Sequence, residues 1–193
     1  PASGGRGAAW FVNIGDHQAL LRHYCRGGLA AKLSRDRFVY TGLSRTRPWR
    51  EWLLNQYLFD CGLAVPRPLA AGVNRRGLSY QAAFVTARLP DAVSLADALR
   101  KQQSIQWARL AQTVSAFHQV GLDHVDLNAN NLLLSQGDWH LIDFDKCRLR
   151  RFAAAWSQAN CARLKRSLVS LDLYDESGWR AFVDAYTASI ASR

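Results

Sequence analysis

The stretch His124-Val-Asp-Leu-Asn-Ala-Asn-Asn131, followed twelve residues later by Asp143-Phe-Asp145, carries the densest chemistry in this 193-residue sequence. A polar loop over 123–130 leads into a short apolar strand, Leu132 to Leu134. The turn Ser135-Gln-Gly-Asp138 reverses the chain, and a second strand, Trp139 to Ile142, returns it to Asp143. A tight hairpin of this kind folds Asn131 and Asp143 toward one end, beside Asp126. Ahead of the loop, Ile105, Leu110, Val114 and Phe117 line one side of a predicted helix over 105–120, with Gly121 as its stop.

An HxDxxxxN loop followed by a hairpin ending in DF(G/D) is the catalytic signature of protein-kinase-like phosphotransferases. Their chemistry explains the spacing. A hydroxyl attacking a γ-phosphoryl group needs a carboxylate to orient it and take its proton, the role expected of Asp126. The leaving ADP gathers negative charge that Mg²⁺ neutralises, and this hard cation prefers oxygen ligands, here Asn131 and Asp143. A loop of Asp and Asn serving only as turn formers is the bland alternative. The coincidence of loop, hairpin and preceding helix weighs against it. His124 is expected to hold the loop backbone, and His118 to be a packed or hydrogen-bonded core residue.

Such a catalytic half calls for a nucleotide-binding half upstream. Ala8–Val12, Gln18–Tyr24 and Ala30–Leu33 read as antiparallel strands separated by turns at Gly15-Asp16 and Gly27-Gly28. A helix begins near Pro48, with Thr46 placed to cap it, and runs to Cys61-Gly62. Leu69–Val73 and Ser79–Leu89 flank a turn over 74–77. Gly5 and Gly7, in Gly4-Gly5-Arg6-Gly7, are candidates to cover the phosphates, because backbone N–H groups approach where side chains are absent. Glu51 sits in the first turn of the predicted helix, the place for a glutamate that pairs with a phosphate-binding cation. Arg22 is preferred for that cation and Lys32 is the alternative, since an arginine fork can hold both a phosphate and Glu51. Pro90 divides an N-lobe over 1–89 from a C-lobe over 90–193. The expected fold is α+β and bilobal, protein-kinase-like, with a strand-rich first lobe holding one helix and a mainly helical second lobe.

Composition agrees with a folded, two-lobed chain. Apolar residues make up 49% and charged residues 21%, which excludes disorder as the main state. Cys25, Cys61, Cys147 and Cys161 form no CxxC pair and read as reduced thiols in a cytosolic setting. No apolar run nears the roughly 20 residues of a membrane span, so the chain is expected to be soluble or peripheral. With no methionine at its start, it reads as a processed or truncated product. The net charge of +10 is concentrated: residues 1–90 hold 13 Lys and Arg against 4 Asp and Glu, a net of +9. Eight of the basic residues fall within 22–50, a field that draws an anionic partner. Phe38, Tyr40 and Trp49 among those arginines are candidates to dip into a lipid headgroup layer.

Further blocks make the likeness narrower. Arg22-His-Tyr-Cys-Arg-Gly-Gly28, Arg37-Phe-Val-Tyr-Thr-Gly42, Thr46-Arg-Pro-Trp-Arg-Glu51 and Gly62-Leu-Ala-Val-Pro-Arg-Pro68, together with HVDLNANN and LIDFD, resemble the 3-deoxy-D-manno-octulosonic acid (Kdo) kinases of the lipopolysaccharide core kinase superfamily. The resemblance runs from about Gly4 to Arg151. It implies ATP-dependent phosphorylation of the 4-hydroxyl of a Kdo sugar on a lipid A precursor, with ATP and Mg²⁺ as cofactors. It implies a peripheral place on the cytoplasmic face of the inner membrane of a Gram-negative bacterium. The first strand expected before the glycine-rich segment is absent from the sequence. A carboxylated, phosphorylated acceptor in an anionic inner-membrane surface suits the +9 half, and the basic run Lys146-Cys-Arg-Leu-Arg-Arg151 lies where an acceptor could sit.

Rival readings are weaker. An aminoglycoside phosphotransferase would need an acidic acceptor cleft, and protein kinases usually carry Lys where Asn128 stands. A basic nucleic-acid-binding module would show zinc spacing, an RNP-like aromatic pair or a dense basic helix face, none of which occurs. A pseudokinase would not need Asp126, Asn131 and Asp143 together. No obligate protein partner is evident.

Overall fold

The computed structural model describes residues 9–15, 17–25 and 36–192. They divide into two compact units, the first comprising the described residues up to Asp60 together with Pro66–Arg88, the second Cys61–Val65 together with Leu89 onward.

The first unit is an antiparallel sheet of β1 (Ala9–Ile14), β2 (His17–His23), β3 (Phe38–Val39), β4 (Pro68–Arg76) and β5 (Ser79–Ala87), with one helix, α1 (Arg47–Asp60). Strand β5 organises it, pairing with β2, β3 and β4. Every second residue of β5, Tyr80, Ala82, Phe84 and Thr86, is buried, the period of two that a sheet with one covered face imposes. Tyr24, Phe38, Tyr80, Ala82 and Phe84 form the core, with Tyr40 and Trp52 packed against it. Phe38 and Tyr40 therefore serve this core and not a headgroup layer, and Trp49 meets Trp52 in a tilted ring contact at 5.6 Å. The β4–β5 turn is tighter than the sequence suggests. Asn74, Arg75 and Arg76 are polar and exposed yet pair with Gln81, Tyr80 and Ser79, leaving Gly77 at φ 60° and Leu78 to reverse the chain.

Helix α1 buries Pro48, Glu51, Asn55 and Leu58, one face at helical spacing. Gly62 follows its end at φ 74°, the left-handed conformation that glycine adopts without strain. Thr46 acts differently from the expected cap: its hydroxyl donates to the Leu43 carbonyl at 2.7 Å, while its own carbonyl accepts from Arg50 N at 3.1 Å.

The second unit contains β6 (Val93–Ser94), α2 (Leu95–Arg100), α3 (Trp107–Gln119), β7 (Leu122–Asp123), β8 (Leu132–Ser135), β9 (Asp138–Leu141), β10 (Arg148–Leu149), α4 (Ala154–Ser170) and α5 (Glu176–Ala191). Ser94 caps α2 by accepting from Asp97 N at 3.0 Å. Leu110, Val114 and Phe117 of α3, Leu164 and Leu168 of α4 and Phe182 of α5 are fully buried, each worth about 1.5–3 kcal/mol of apolar transfer. His118 is in this core, hydrogen-bonded through Nδ1 to the Tyr186 hydroxyl at 2.6 Å. Burial, with His124 nearby, pushes its pKa down to about 4. Gln136 and Gly137 both take positive φ in the β8–β9 turn, which sets the hairpin register Leu132 opposite Leu141. Among the described residues no helix is long and apolar enough to cross a membrane.

Candidate active site

The loop between β7 and β8 is held from three directions. His124 is fully enclosed and, because burial lowers its pKa, neutral; its Nε2–H donates to the Ile142 carbonyl at 3.0 Å. Leu127 and Ala129 point into the core. The Ala129 N–H donates to Ser167 Oγ of α4 at 3.0 Å, and the Ala129 carbonyl accepts from Ala96 N of α2 at 3.1 Å. With those positions anchored, the intervening Asp126 side chain is left exposed.

Two amide side chains then converge on the Asp126 backbone carbonyl, Asn128 Nδ2 at 2.9 Å and Asn131 Nδ2 at 3.0 Å. Since the Asn131 NH₂ is committed as donor, its Oδ1 is the atom left to act as an oxygen ligand. The Asn131 carbonyl accepts from Ile142 N at 3.1 Å, so the backbone of Asn131 lies directly across from the residue preceding Asp143. Asp143 adopts φ 67°, a left-handed conformation that costs a non-glycine residue about 1–2 kcal/mol. Residues held this way concentrate at functional sites because their surroundings over-determine them. Here Phe144 supplies the constraint: it is buried and meets the His124 ring edge-on at 5.8 Å. The structure thus brings Asp126, Asn131 and Asp143 onto one loop and hairpin. One amide oxygen and one carboxylate suit Mg²⁺, which is commonly held by one or two such groups plus substrate phosphates. No cluster of three or more His, Cys, Asp or Glu exists among the described residues to hold a metal unaided.

In the first unit, Arg22 of β2 forms an ion pair with Glu51 of α1, through Nη2 and Oε1. Tyr24 donates its hydroxyl to the other oxygen of Glu51. Tyr24 and Glu51 are both almost wholly buried. Burial first, and then the Glu51 charge, raise the Tyr24 pKa, so the phenol remains a donor. Arg47 lies over the Tyr24 ring at 5.2 Å and the Phe38 ring at 4.8 Å, and burial lowers its pKa. Arg22 itself lies 5.0 Å from the Tyr24 centroid and keeps 26% of its side chain exposed, enough for a ligand to reach. A guanidinium held by a carboxylate yet still partly exposed suits contact with an anion such as phosphate.

Lys32, Gly5 and Gly7 lie outside the described residues. Four residues of these arrangements escape sequence reasoning. Tyr24 and Arg47 had a signal: Tyr24 follows Arg22 by two on a strand, hence on the same face, and Arg47 lies one turn before Glu51. Asn128 was noticed only as a departure from protein kinases. Ser167, 38 residues from its partner, has no local signal at all.

A sheet unit that closes an Arg–Glu pair against one helix, and a hairpin unit that carries Asp126, Asn131 and Asp143, are the parts expected of a kinase-like phosphotransferase. The expected α+β kinase-like fold is shown by solved structures similar to this chain. One, titled WaaP in complex with acyl carrier protein, matches with TM-score 0.62 over 97% of this chain and 77% of its own, at 17% identity. A glucosamine kinase matches with TM-score 0.51 over 90% and 62%, at 13% identity.

The chain belongs to the lipopolysaccharide kinase (Kdo/WaaP) family, whose model matches residues 2–186. It is 46% identical over 170 residues to the 3-deoxy-D-manno-octulosonic acid kinase of Stenotrophomonas maltophilia (strain R551-3), covering 87% of this chain and 68% of the relative. The enzyme of the same name from Xanthomonas oryzae pv. oryzae (strain PXO99A) is 47% identical over 171 residues, 87% of this chain and 68% of that one. The protein is accordingly an ATP-dependent kinase of lipopolysaccharide biosynthesis.

Proposed function

We propose that this kinase transfers the γ-phosphoryl group of ATP to the 4-hydroxyl of a Kdo sugar carried on a lipid A precursor. Likeness to relatives named for that sugar supports the acceptor, and one arrangement supports the chemistry. Asn128 and Asn131 both hold the Asp126 carbonyl, fixing the backbone that carries the exposed carboxylate at the start of the hairpin that bears Asn131 and Asp143.

In this reading the acceptor hydroxyl approaches Asp126, whose carboxylate orients it and accepts its proton as the new O–P bond forms and the bond from the γ-phosphorus to the bridging oxygen breaks, releasing ADP. Asn131 Oδ1 and the Asp143 carboxylate would hold Mg²⁺, which when bound would neutralise charge on the phosphates. Arg22 contacts the nucleotide phosphates while Glu51 and Tyr24 keep its fork from folding away. Residues 1–89 then form the nucleotide-binding lobe, with Gly5 and Gly7 over the phosphates and Lys32 as the alternative to Arg22 for the phosphate-binding cation, and residues 90–193 the catalytic lobe. The +9 charge of residues 1–90 favours peripheral binding to the anionic cytoplasmic face of a Gram-negative inner membrane, at about 1 kcal/mol per basic residue near the surface. A competition assay tests the acceptor class: with ATP and Mg²⁺, a Kdo-bearing lipid, an aminoglycoside and a peptide are offered together. Phosphate found on the Kdo lipid alone supports the reading, and phosphate found on either of the others overturns it.

A further inference from the structure

The basic run after Asp145 takes no role in the transfer step proposed above, yet the fold holds it firmly in place. Strand β10 pairs antiparallel with β7, Arg148 opposite Asp123 and Leu149 opposite Leu122. Asp123 exposes only 7% of its side chain and accepts from Arg148 Nε at 3.4 Å, Arg150 Nη1 at 3.0 Å and Asn160 Nδ2 of α4 at 3.1 Å. Burial alone would push its pKa up. The hydrogen bonds from Arg150, Asn160 and Arg148 prevail and hold it below the ordinary carboxylate range, so Asp123 is a fixed negative charge. Its two cationic partners, in contrast, are 63% and 46% exposed.

A buried carboxylate that only needed neutralising would bury one partner with it. Asp123 instead steers two well-exposed forks: Arg148 engages through Nε, which leaves both of its terminal nitrogens, and Arg150 engages through Nη1, which leaves its Nη2 and Nε. The backbone carrying them is equally fixed. Arg150 N donates to Gly121 O at 2.8 Å, and Gly121, at φ 89°, passes so close that a Cβ there would lie 2.2 Å from the Arg150 carbonyl oxygen. Lys146 and Arg151, both exposed, extend the positive surface. The location is adjacent to the chemistry. Asp123 precedes Asp126 by three residues, a span of at most about 11 Å, and Arg148 follows Asp143 by five.

We infer that Arg148 and Arg150, aimed by Asp123, form an oxyanion subsite that seats a carboxylate or phosphate of the acceptor while its hydroxyl meets Asp126. The inference rests on the anionic sugar-lipid acceptor proposed above and adds the residues that recognise it.

Kinetics of Arg148→Ala and Arg150→Ala with a Kdo-bearing lipid A precursor test it. The subsite predicts an acceptor KM at least tenfold higher in each variant, with the KM for ATP within about twofold of the parent and the same melting temperature for Arg148→Ala. Two altered acceptors separate the sources of the anion, one with the Kdo carboxylate esterified and one with the lipid phosphates removed. The acceptor lacking the recognised group should be poor for the parent protein and lose nothing more in the variants. Unchanged acceptor KM in both variants, or a loss that tracks a lowered melting temperature alone, overturns the inference and leaves the acceptor assignment standing. Should the parent protein phosphorylate no Kdo lipid, that assignment fails, and titration with inorganic phosphate followed by arginine side-chain NMR decides the subsite alone. Shifts at Arg148 and Arg150 that vanish in the variants uphold it, and their absence overturns it.

Discussion

Tyr24→Phe removes one oxygen from the buried Arg22–Glu51–Tyr24 arrangement and little else. The ring that fills the core and carries the Arg22 and Arg47 guanidinium groups at 5.0 and 5.2 Å remains, while Glu51 Oε2 loses its phenolic donor. Glu51 is only 2% exposed, so water cannot readily replace the hydroxyl. A hydrogen bond to a buried charged acceptor contributes about 1.5–3 kcal/mol, and in a chain of this length each kcal/mol moves the melting temperature by about 2–4 °C. The expected loss is therefore about 3–12 °C by calorimetry. Because the Glu51 carboxylate that loses the phenol also pairs with Arg22, the Arg22 fork should shift with it and the KM for ATP should rise by about three- to tenfold. A double-mutant cycle with Glu51→Gln isolates the bond: the two substitutions should couple by more than about 0.5 kcal/mol. Additive effects, or a Tyr24→Phe protein that melts with the parent and binds ATP equally well, would refute the reasoning.

Asp126→Ala should cut turnover by about two to four orders of magnitude, the range for a positioned base, with an unchanged melting temperature because the side chain is exposed. Asp143→Asn should weaken nucleotide binding in Mg²⁺ far more than in EDTA; equal losses in the two titrations would reject Asp143 as a metal ligand. Gly121→Ala must force a Cβ against the Arg150 carbonyl at φ 89°, so a loss of about 2 kcal/mol or more is expected, and a neutral effect in urea unfolding would contradict the described backbone. Burial holds His118 neutral, its pKa down at about 4. Between that value and the unfolded value of about 6.5 the unfolded chain binds more protons, so stability should rise with pH across this window and fall as pH drops through it. His118→Gln should flatten the slope.

The loop and hairpin of the candidate site were legible because their residues are close in sequence. Asp126, Asn131 and Asp143 belong to a loop and a hairpin whose turn residues, Gln136 and Gly137, announce themselves, and Gly121 marked the end of the preceding helix. The Arg22–Glu51 pair spans 29 residues and was reached only by asking which cation a helix-borne glutamate would meet. What the sequence concealed depended on tertiary packing. Nothing local says that Ser167 holds the catalytic loop, that Asp123 steers two arginines, or that Phe38 and Tyr40 turn inward to the sheet core. Thr46 satisfied the pattern for a cap, but the Leu43 carbonyl was the acceptor its hydroxyl reached.

Mass analysis of a purified Kdo-bearing lipid A precursor after incubation with ATP and Mg²⁺, run in parallel with the parent protein and Asp126→Ala, tests the central claim most directly. The account predicts a gain of one phosphoryl group on the Kdo sugar with the parent protein and almost none with the variant. An unmodified acceptor in both reactions, or equal phosphorylation by both, would contradict it.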